Sequence, residues 1–150
     1  MKIRCFQIAM ISAIIFVTSL RIFAHCEVPC GIYDDKARVG MIAEHISTIE
    51  KAMKEIVTIQ GAKSLDYNQL VRWITTKDKH ADEIQHIVSQ YFMTQRIKPD
   101  SDKYQEKLVL LHKMLIDAMK CKQTTDTAFT ESLHNLLDKF QKLYFEESKK

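Results

Sequence analysis

The chain has 150 residues, which is enough for one domain with a modest hydrophobic core. It contains only three glycines and two prolines, a composition that favours an all-helical domain. The formal net charge is +3, but three of the 22 basic residues, Lys2, Arg4 and Arg21, lie in the first 24 positions. The remaining chain has 19 basic and 19 acidic residues, so its charge gives no reason to expect nucleic acid or an anionic membrane as a partner.

The first 24 residues predict a secretory signal peptide. Basic residues precede a mostly apolar run, residues 6–20, and Ala24 is the small residue expected before a cleavage site. The run is too short and too interrupted for a good membrane-spanning helix. We expect a signal peptidase to remove residues 1–24 and the mature protein, residues 25–150, to be exported to the periplasm, the exterior or an organelle lumen without membrane association. An uncleaved anchor and a lipoprotein attached through Cys26 are the alternatives.

Four amphipathic helices are predicted after residue 34. Their apolar residues recur at intervals that place them on one face of each helix. In chain order these faces contain Val39, Ile42, Ile46, Ile49, Met53 and Ile56; Leu70, Trp73, Ile74, Ala81, Ile84, Val88, Tyr91 and Phe92; Tyr104, Leu108, Leu111, Leu115 and Ala118; and Phe129, Leu133, Leu136, Phe140 and Leu143. The expected N-caps are Asp34 or Asp35, Ser64 or Asp66, one of residues 100–102, and Thr125 or Asp126, and Gly61 is expected to end the first helix. Short connections between such helices predict an antiparallel four-helix bundle over residues 35–150.

Two Glu-x-x-His motifs raise the hypothesis of a di-iron carboxylate bundle. Glu83 and His86 form one motif on the second helix, and Glu131 and His134 form the other on the fourth. At about 100° per residue, His86 and Glu131 lie nearly opposite the middle of their helices' apolar faces. The motifs are therefore interpreted as chance occurrences in charged helices.

The segment before the first helix reads HCEVPCGIYD. As internal sequence, Cys26 and Cys30 would predict a local disulfide in an exported protein. As a new N-terminus, the segment offers the α-amine of His25, the backbone amide nitrogen of Cys26 and two thiolates. Two nitrogens and two sulfurs in one plane suit Ni(II) or Cu(II), whereas zinc prefers a tetrahedral site. The His25 imidazole can approach axially, and Pro29 and Gly31 allow a tight loop that brings back the second sulfur.

The pattern His-Cys-x-x-Pro-Cys-Gly-x-Tyr-Asp over residues 25–34 resembles the nickel hook of the nickel-containing superoxide dismutases. The four-helix pattern that follows is also similar. The resemblance implies that superoxide is converted to dioxygen and hydrogen peroxide by one nickel ion per protomer, which alternates between Ni(III) and Ni(II). It implies His25, Cys26 and Cys30 as the metal ligands, and it implies assembly into a homohexamer.

The same resemblance gives roles to residues around the metal. Tyr33 would cover the open face as a gate for a small anion, so Tyr33 and His25 are the expected catalytic residues. Tyr91, in a Tyr-Phe pair that matches the family at the end of the second helix, would support Tyr33. The other motif residues expected near the metal are Pro29, Gly31 and Asp34.

Two positions depart from the family pattern. A family Glu on the first helix and a family Arg on the second hold the axial imidazole, and here Gly40 and His80 occupy those places. His80 is therefore a candidate partner of the imidazole, and Glu44 is a candidate substitute for the missing Glu. Cys121 is expected to be a buried or partly buried thiol, and Trp73 is expected in the core rather than at the gate. The histidines expected to be exposed or structural are His45, His112 and His134.

Two other functions also fit the sequence. A non-catalytic exported nickel- or copper-binding protein would use the same hook for sequestration or delivery, without redox cycling with superoxide. A helical interaction module stapled by a Cys26–Cys30 disulfide would bind no metal. An uncleaved leader would favour either alternative, because the α-amine of His25 would not exist.

Overall fold

The computed structural model describes residue 27 and residues 29–146. Every regular element in this part of the chain is helical. The elements are α1 (Asp35–Gln60), α2 (Tyr67–His86), a π-helix (Ile87–Arg96) that continues α2, α3 (Tyr104–Gln123) and α4 (Ala128–Glu146). The all-α prediction is confirmed, whereas the predicted signal peptide, His25 and Cys26 lie outside the described residues. None of the described helices is long and apolar enough to cross a membrane.

The helices pack as a four-helix bundle in which α1 and α3 each contact both α2 and α4. Short connections, residues 61–66, 97–103 and 124–127, join consecutive helices that lie side by side, so neighbouring helices run antiparallel. The start of α1, the π-helix and the end of α4 therefore share one end of the bundle, which we call the hook end. The end of α1, the start of α2 and the end of α3 form the far end.

Helix α1 follows the sequence prediction closely. Asp34 is its N-cap, and the Asp34 carboxylate accepts a hydrogen bond of 2.9 Å from the backbone N–H of Ala37. The backbone N–H of Gly61 caps the other end. All six residues of the predicted apolar face are buried, because their spacing returns them to the side that faces α2 and α4.

The first half of α2 differs from the prediction. Asp66 caps the helix as expected, but the Ile74 side chain is 40% exposed and Trp73 is only partly buried, outside the hydrophobic core. The prediction that Trp73 belongs to the core is therefore wrong. Lys77 is buried one turn later, and its ammonium donates to the backbone carbonyls of Cys121 at 2.6 Å and Lys122 at 2.8 Å. The far end is thus held by a charged side chain that satisfies the last carbonyls of α3.

The second half of the predicted second helix is a π-helix of ten residues, which the sequence did not predict. Its register is visible in hydrogen bonds between residues five apart, such as the 2.9 Å bond from the backbone N–H of Ile97 to the carbonyl of Phe92. On an α-helix, Tyr91 and Arg96 would lie about 140° apart. In the π register, residues five apart lie on one side, so both side chains reach the start of α1.

Helix α3 begins after the predicted break but without a predicted cap. Lys103 is the N-cap residue, has φ of 51° and makes no capping hydrogen bond through its side chain, so none of residues 100–102 caps the helix. Cys121 near its end is fully buried, as predicted. Burial, and then the charge of Asp117, raise the pKa of the Cys121 thiol to about 11, so this thiol is protonated at neutral pH.

Candidate metal centre

The described part of the predicted hook consists of Glu27 and residues 29–34, which lead into the N-cap of α1. Cys30 is exposed and forms no disulfide with another described cysteine. Gly31 has φ of 80°, a left-handed conformation that favours glycine, so the chain turns directly after the Cys30 thiol. Asp34 is fixed by its capping bond. Of the three predicted ligands the structure describes only Cys30, and it places this thiol on a turn in contact with solvent.

Tyr33 lies over the hook end of the bundle. Its side chain is 40% exposed, and its ring meets the ring of Tyr91 edge to face with centroids 5.9 Å apart. The Arg96 guanidinium lies 4.3 Å from the centroid of the Tyr33 ring, within cation–π distance. The structure therefore brings together Tyr33 and Tyr91, which the sequence predicted to belong to one site.

Asp35 is the centre of a hydrogen-bond cluster that the sequence did not predict. Its Oδ1 accepts bonds from the Arg96 Nε at 2.8 Å and the Tyr91 hydroxyl at 2.7 Å. Its Oδ2 accepts bonds from the Arg96 Nη2 at 2.8 Å and the Tyr144 hydroxyl at 2.9 Å. This Asp35 cluster joins α1, the π-helix and α4. One feature of the sequence could have indicated this cluster. Asp34 and Asp35 are adjacent, and because only one of them can cap α1, the other carboxylate must find different partners.

The electrostatics of the Asp35 cluster keep each member in one protonation state. Burial raises the pKa of Asp35, but hydrogen bonds from Arg96, Tyr91 and Tyr144 outweigh it, so the pKa is lowered below its ordinary value. Burial and the hydrogen bond to Asp35 raise the pKa of Tyr91 far above its ordinary value, and the same causes raise the pKa of Tyr144 to about 12. At neutral pH Asp35 is therefore an anion, and both tyrosines are protonated donors.

A cavity of about 310 Å³ lies beside the hook. Its lining residues are Glu27, Pro29, Arg38, His86, Ile87, Gln90 and Tyr91. The Arg38 guanidinium lies 5.2 Å from the centroid of the Tyr91 ring and 3.7 Å from the Met41 sulfur. Within the described part of the chain, no carboxylate lies within 4.0 Å of Arg38. The wall of the cavity therefore carries the Arg38 cation, which is not paired with a described carboxylate, together with the carboxylate of Glu27.

His80, the candidate partner of the axial imidazole, contacts another histidine. The Nδ1 atoms of His80 and His45 are 2.8 Å apart, and the His45 Nε2 is buried without a hydrogen-bond partner among the described residues. Burial and the charge of His80 lower the pKa of His45, although Glu83 and Glu44 oppose the shift. The prediction of a structural role suits His45, which links α1 to α2.

The two Glu-x-x-His motifs do not form a metal site. His86 and Glu131 are exposed, as their helical phase predicted. Across residue 27 and residues 29–146, no group of three or more histidine, cysteine or carboxylate side chains is placed to hold a metal ion. The di-iron hypothesis is thus unsupported, and the only described residue among the three predicted nickel ligands is Cys30.

Comparison with known proteins identifies the family. The model of the nickel-containing superoxide dismutase family matches residues 20–149. The superoxide dismutase [Ni] of Streptomyces seoulensis is 23% identical over 135 residues, which cover 90% of this chain and 96% of that protein. The superoxide dismutase [Ni] of Streptomyces coelicolor is 25% identical over 139 residues, with the same two coverages. No solved structure matches the chain significantly. Because the family model spans nearly the whole chain, this chain belongs to the nickel-containing superoxide dismutase family.

Proposed function

We propose that the nickel centre of this superoxide dismutase is formed by His25, Cys26 and Cys30, at an N-terminus created by removal of residues 1–24. The observation that carries the proposal is a free, exposed Cys30 thiol next to the turn at Gly31 and three residues before Tyr33. The buried Cys121 thiol is protonated at neutral pH and lies at the far end, so it is a poor ligand.

The donor atoms fit nickel. Two thiolates, an amine and a deprotonated amide nitrogen would form a donor set that suits Ni(II). When bound, nickel supplies the Ni(III)/Ni(II) couple on which the conversion of superoxide to dioxygen and hydrogen peroxide depends. The Cys30 thiol is accessible to a metal ion because its side chain is exposed. The positive φ of Gly31 lets the chain turn back directly after this ligand.

The surrounding residues control which molecules reach the metal. The Tyr33 ring, which contacts both Tyr91 and Arg96, would stand beside the metal and limit access to small anions. Its hydroxyl makes no hydrogen bond to another described residue, so it is available to donate to an anion or a water. The Tyr91 hydroxyl donates to Asp35 and therefore acts through packing. Arg38 adds a positive charge beside the approach.

Maturation and assembly are part of the proposal. Cleavage after Ala24 by a signal peptidase would create the α-amine of His25 and export the chain to the periplasm, the exterior or an organelle lumen. Each protomer would then bind one nickel ion. The homohexamer implied by the resemblance would shield the hook from larger oxidants and reductants. The outer faces of the bundle carry exposed apolar side chains, such as Val71 and Val109, that such an assembly could cover.

The proposal is tested on protein purified from its native host. The N-terminal sequence, the intact mass and the nickel content are measured on one sample, followed by the rate of superoxide loss. A chain that begins at His25 with about one nickel per protomer and catalytic superoxide loss is expected. A matched variant that retains Ala24 should bind nickel weakly, because its α-amine is displaced by one residue. A chain that still carries residues 1–24, or a Cys26–Cys30 disulfide, would contradict the proposed centre.

A further inference from the structure

We infer that Asp35 is a positioning residue of this enzyme, which holds the Tyr33 gate in place through the guanidinium of Arg96. The inference rests on the proposed function, because it concerns the residues that position Tyr33, which the proposed function makes the gate to the metal. Neither residue has a hydrogen bond or ion pair with Cys30, the one predicted ligand within the described residues. Their role is to fix where the Tyr33 ring stands relative to the hook.

Tyr33 needs such support because its own backbone gives little. Residues 32–34 have no regular secondary structure, and the neighbouring Ile32 side chain is 82% exposed. The described contacts of the Tyr33 ring are an edge-to-face contact with the Tyr91 ring and a cation–π contact with the Arg96 guanidinium. Both contacting residues donate hydrogen bonds to one carboxylate, that of Asp35. The position of Tyr33 therefore depends on Asp35.

The geometry of the Arg96–Asp35 ion pair explains how Asp35 fixes the position of the Tyr33 ring. Arg96 binds Asp35 through two parallel bonds, from Nε and from Nη2, each 2.8 Å long. Such a bidentate pair fixes the plane of the guanidinium as well as its position. The Arg96 and Asp35 side chains are only 28% and 17% exposed, so the pair is screened less by solvent than a surface pair. Because Tyr33 packs on this guanidinium, loss of the pair frees the ring.

The π-helix makes the arrangement possible. Tyr91 and Arg96 are five residues apart and can reach Asp35 together only because the helix between them has i→i+5 register. The Tyr144 hydroxyl completes the carboxylate's shell from α4. Four donors leave the Asp35 carboxylate well satisfied, which is the condition for a buried charge to be stable. The π register is thus functional, since an α-helix there would turn Arg96 away from Asp35.

The inference is tested with Asp35→Asn and Arg96→Lys in the nickel-loaded mature enzyme. Asp35→Asn removes the charge and one acceptor, while Arg96→Lys keeps the charge but loses the planar fork. The direct readout is the ¹⁹F NMR signal of Tyr33 in reduced, 3-fluorotyrosine-labelled enzyme, assigned with Tyr33→Phe. In both variants we expect this signal to move toward that of a solvent-exposed tyrosine. The rate constant for superoxide should fall between about tenfold and a hundredfold at unchanged nickel content.

Asp82→Asn is the matched control. It removes a carboxylate that pairs with Lys122 on the exposed surface between α2 and α3, away from Tyr33. We expect neither the Tyr33 signal nor the rate to change. A Tyr33 signal that stays in place in both Asp35→Asn and Arg96→Lys would overturn the inference. The result is independent of the proposed ligand set, because the Tyr33 signal can be compared even if nickel is found at other donors.

Discussion

The two ends of the bundle each contain a cysteine and a charged side chain that links helices, yet they differ in chemistry. At the far end, Cys121 is fully buried, and the Lys77 ammonium donates to backbone carbonyls at the end of α3. At the hook end, Cys30 is exposed, and Asp35 binds a guanidinium and two phenols. The charge at the far end satisfies the last carbonyls of a helix, whereas the charge at the hook end binds the side chains that pack against Tyr33.

The largest expected effect separates the two cysteines. Cys30→Ser should remove nickel and superoxide dismutase activity, because a hydroxyl is a poor ligand for Ni(II) beside a remaining thiolate. Cys121→Ser should keep both and lower the free energy of unfolding by about 1–2 kcal/mol, the cost of burying a hydroxyl. Metal analysis, the superoxide assay and urea denaturation check the pair. Equal loss of nickel in both variants would show that the proposed difference between the cysteines does not exist.

The second-largest expected effect distinguishes Lys77 at the far end from Asp35 at the hook end. Lys77→Met should lower the free energy of unfolding by about 2–3 kcal/mol, because the carbonyls of Cys121 and Lys122 lose a charged donor. Nickel content and specific activity of the folded protein should be unchanged, in contrast to Asp35→Asn. Lys54→Met removes an exposed ammonium paired with Glu50 on α1 and serves as the control, with little expected change in stability. Loss of activity in folded Lys77→Met would contradict the division between the ends.

A smaller effect is expected from Arg38, the cation on the wall of the hook-end cavity. Arg38→Gln should lower the second-order rate constant for superoxide by roughly three- to tenfold at low ionic strength, because the attraction of the anion is weakened. Its rate should also depend less on salt concentration than that of the wild-type enzyme. Arg72→Gln, at an exposed position in the first half of α2, is the control. An unchanged salt dependence in Arg38→Gln would exclude Arg38 as a guide for the substrate.

The smallest effect concerns the His45–His80 pair, which lies between the two ends. Because the pKa of His45 is lowered in the folded state, the unfolded chain binds the proton more tightly. Stability should therefore be fully present above about pH 6.5 and should decline as the pH falls below this value. His80 contacts the His45 imidazole directly, and the negative charges of Glu44 and Glu83 partly oppose the lowering of the His45 pKa. Urea denaturation at several pH values should show a shallower decline for His45→Gln than for His112→Gln, an exposed control. If stability declined equally in both variants, His45 would not be the origin of this pH dependence.

Much of the fold could be predicted from the sequence because it depends on local spacing. The apolar positions of α1 and the caps at Asp34 and Asp66 are local patterns, and the structure has them where predicted. The failures have a common cause. Trp73 was expected in the core, but Lys77 is buried beside the end of α3 and Trp73 lies outside the core, only partly buried. No local pattern in α2 shows which of two neighbouring turns a distant helix will cover.

The candidate site likewise has one part that local sequence predicts and another that depends on tertiary packing. The hook was recognisable from residues 25–34 alone, since ligand atoms held on a short segment need only their own spacing. The sequence by itself thus determined an all-helical chain, and it predicts a nickel hook over residues 25–34 with Tyr33 as its gate. Only the tertiary structure decided that Asp35, Arg96 and Tyr144 meet behind that gate. The physical reason is that these residues come from α1, the π-helix and α4, and their meeting depends on helix packing and on an i→i+5 register that no local pattern indicates.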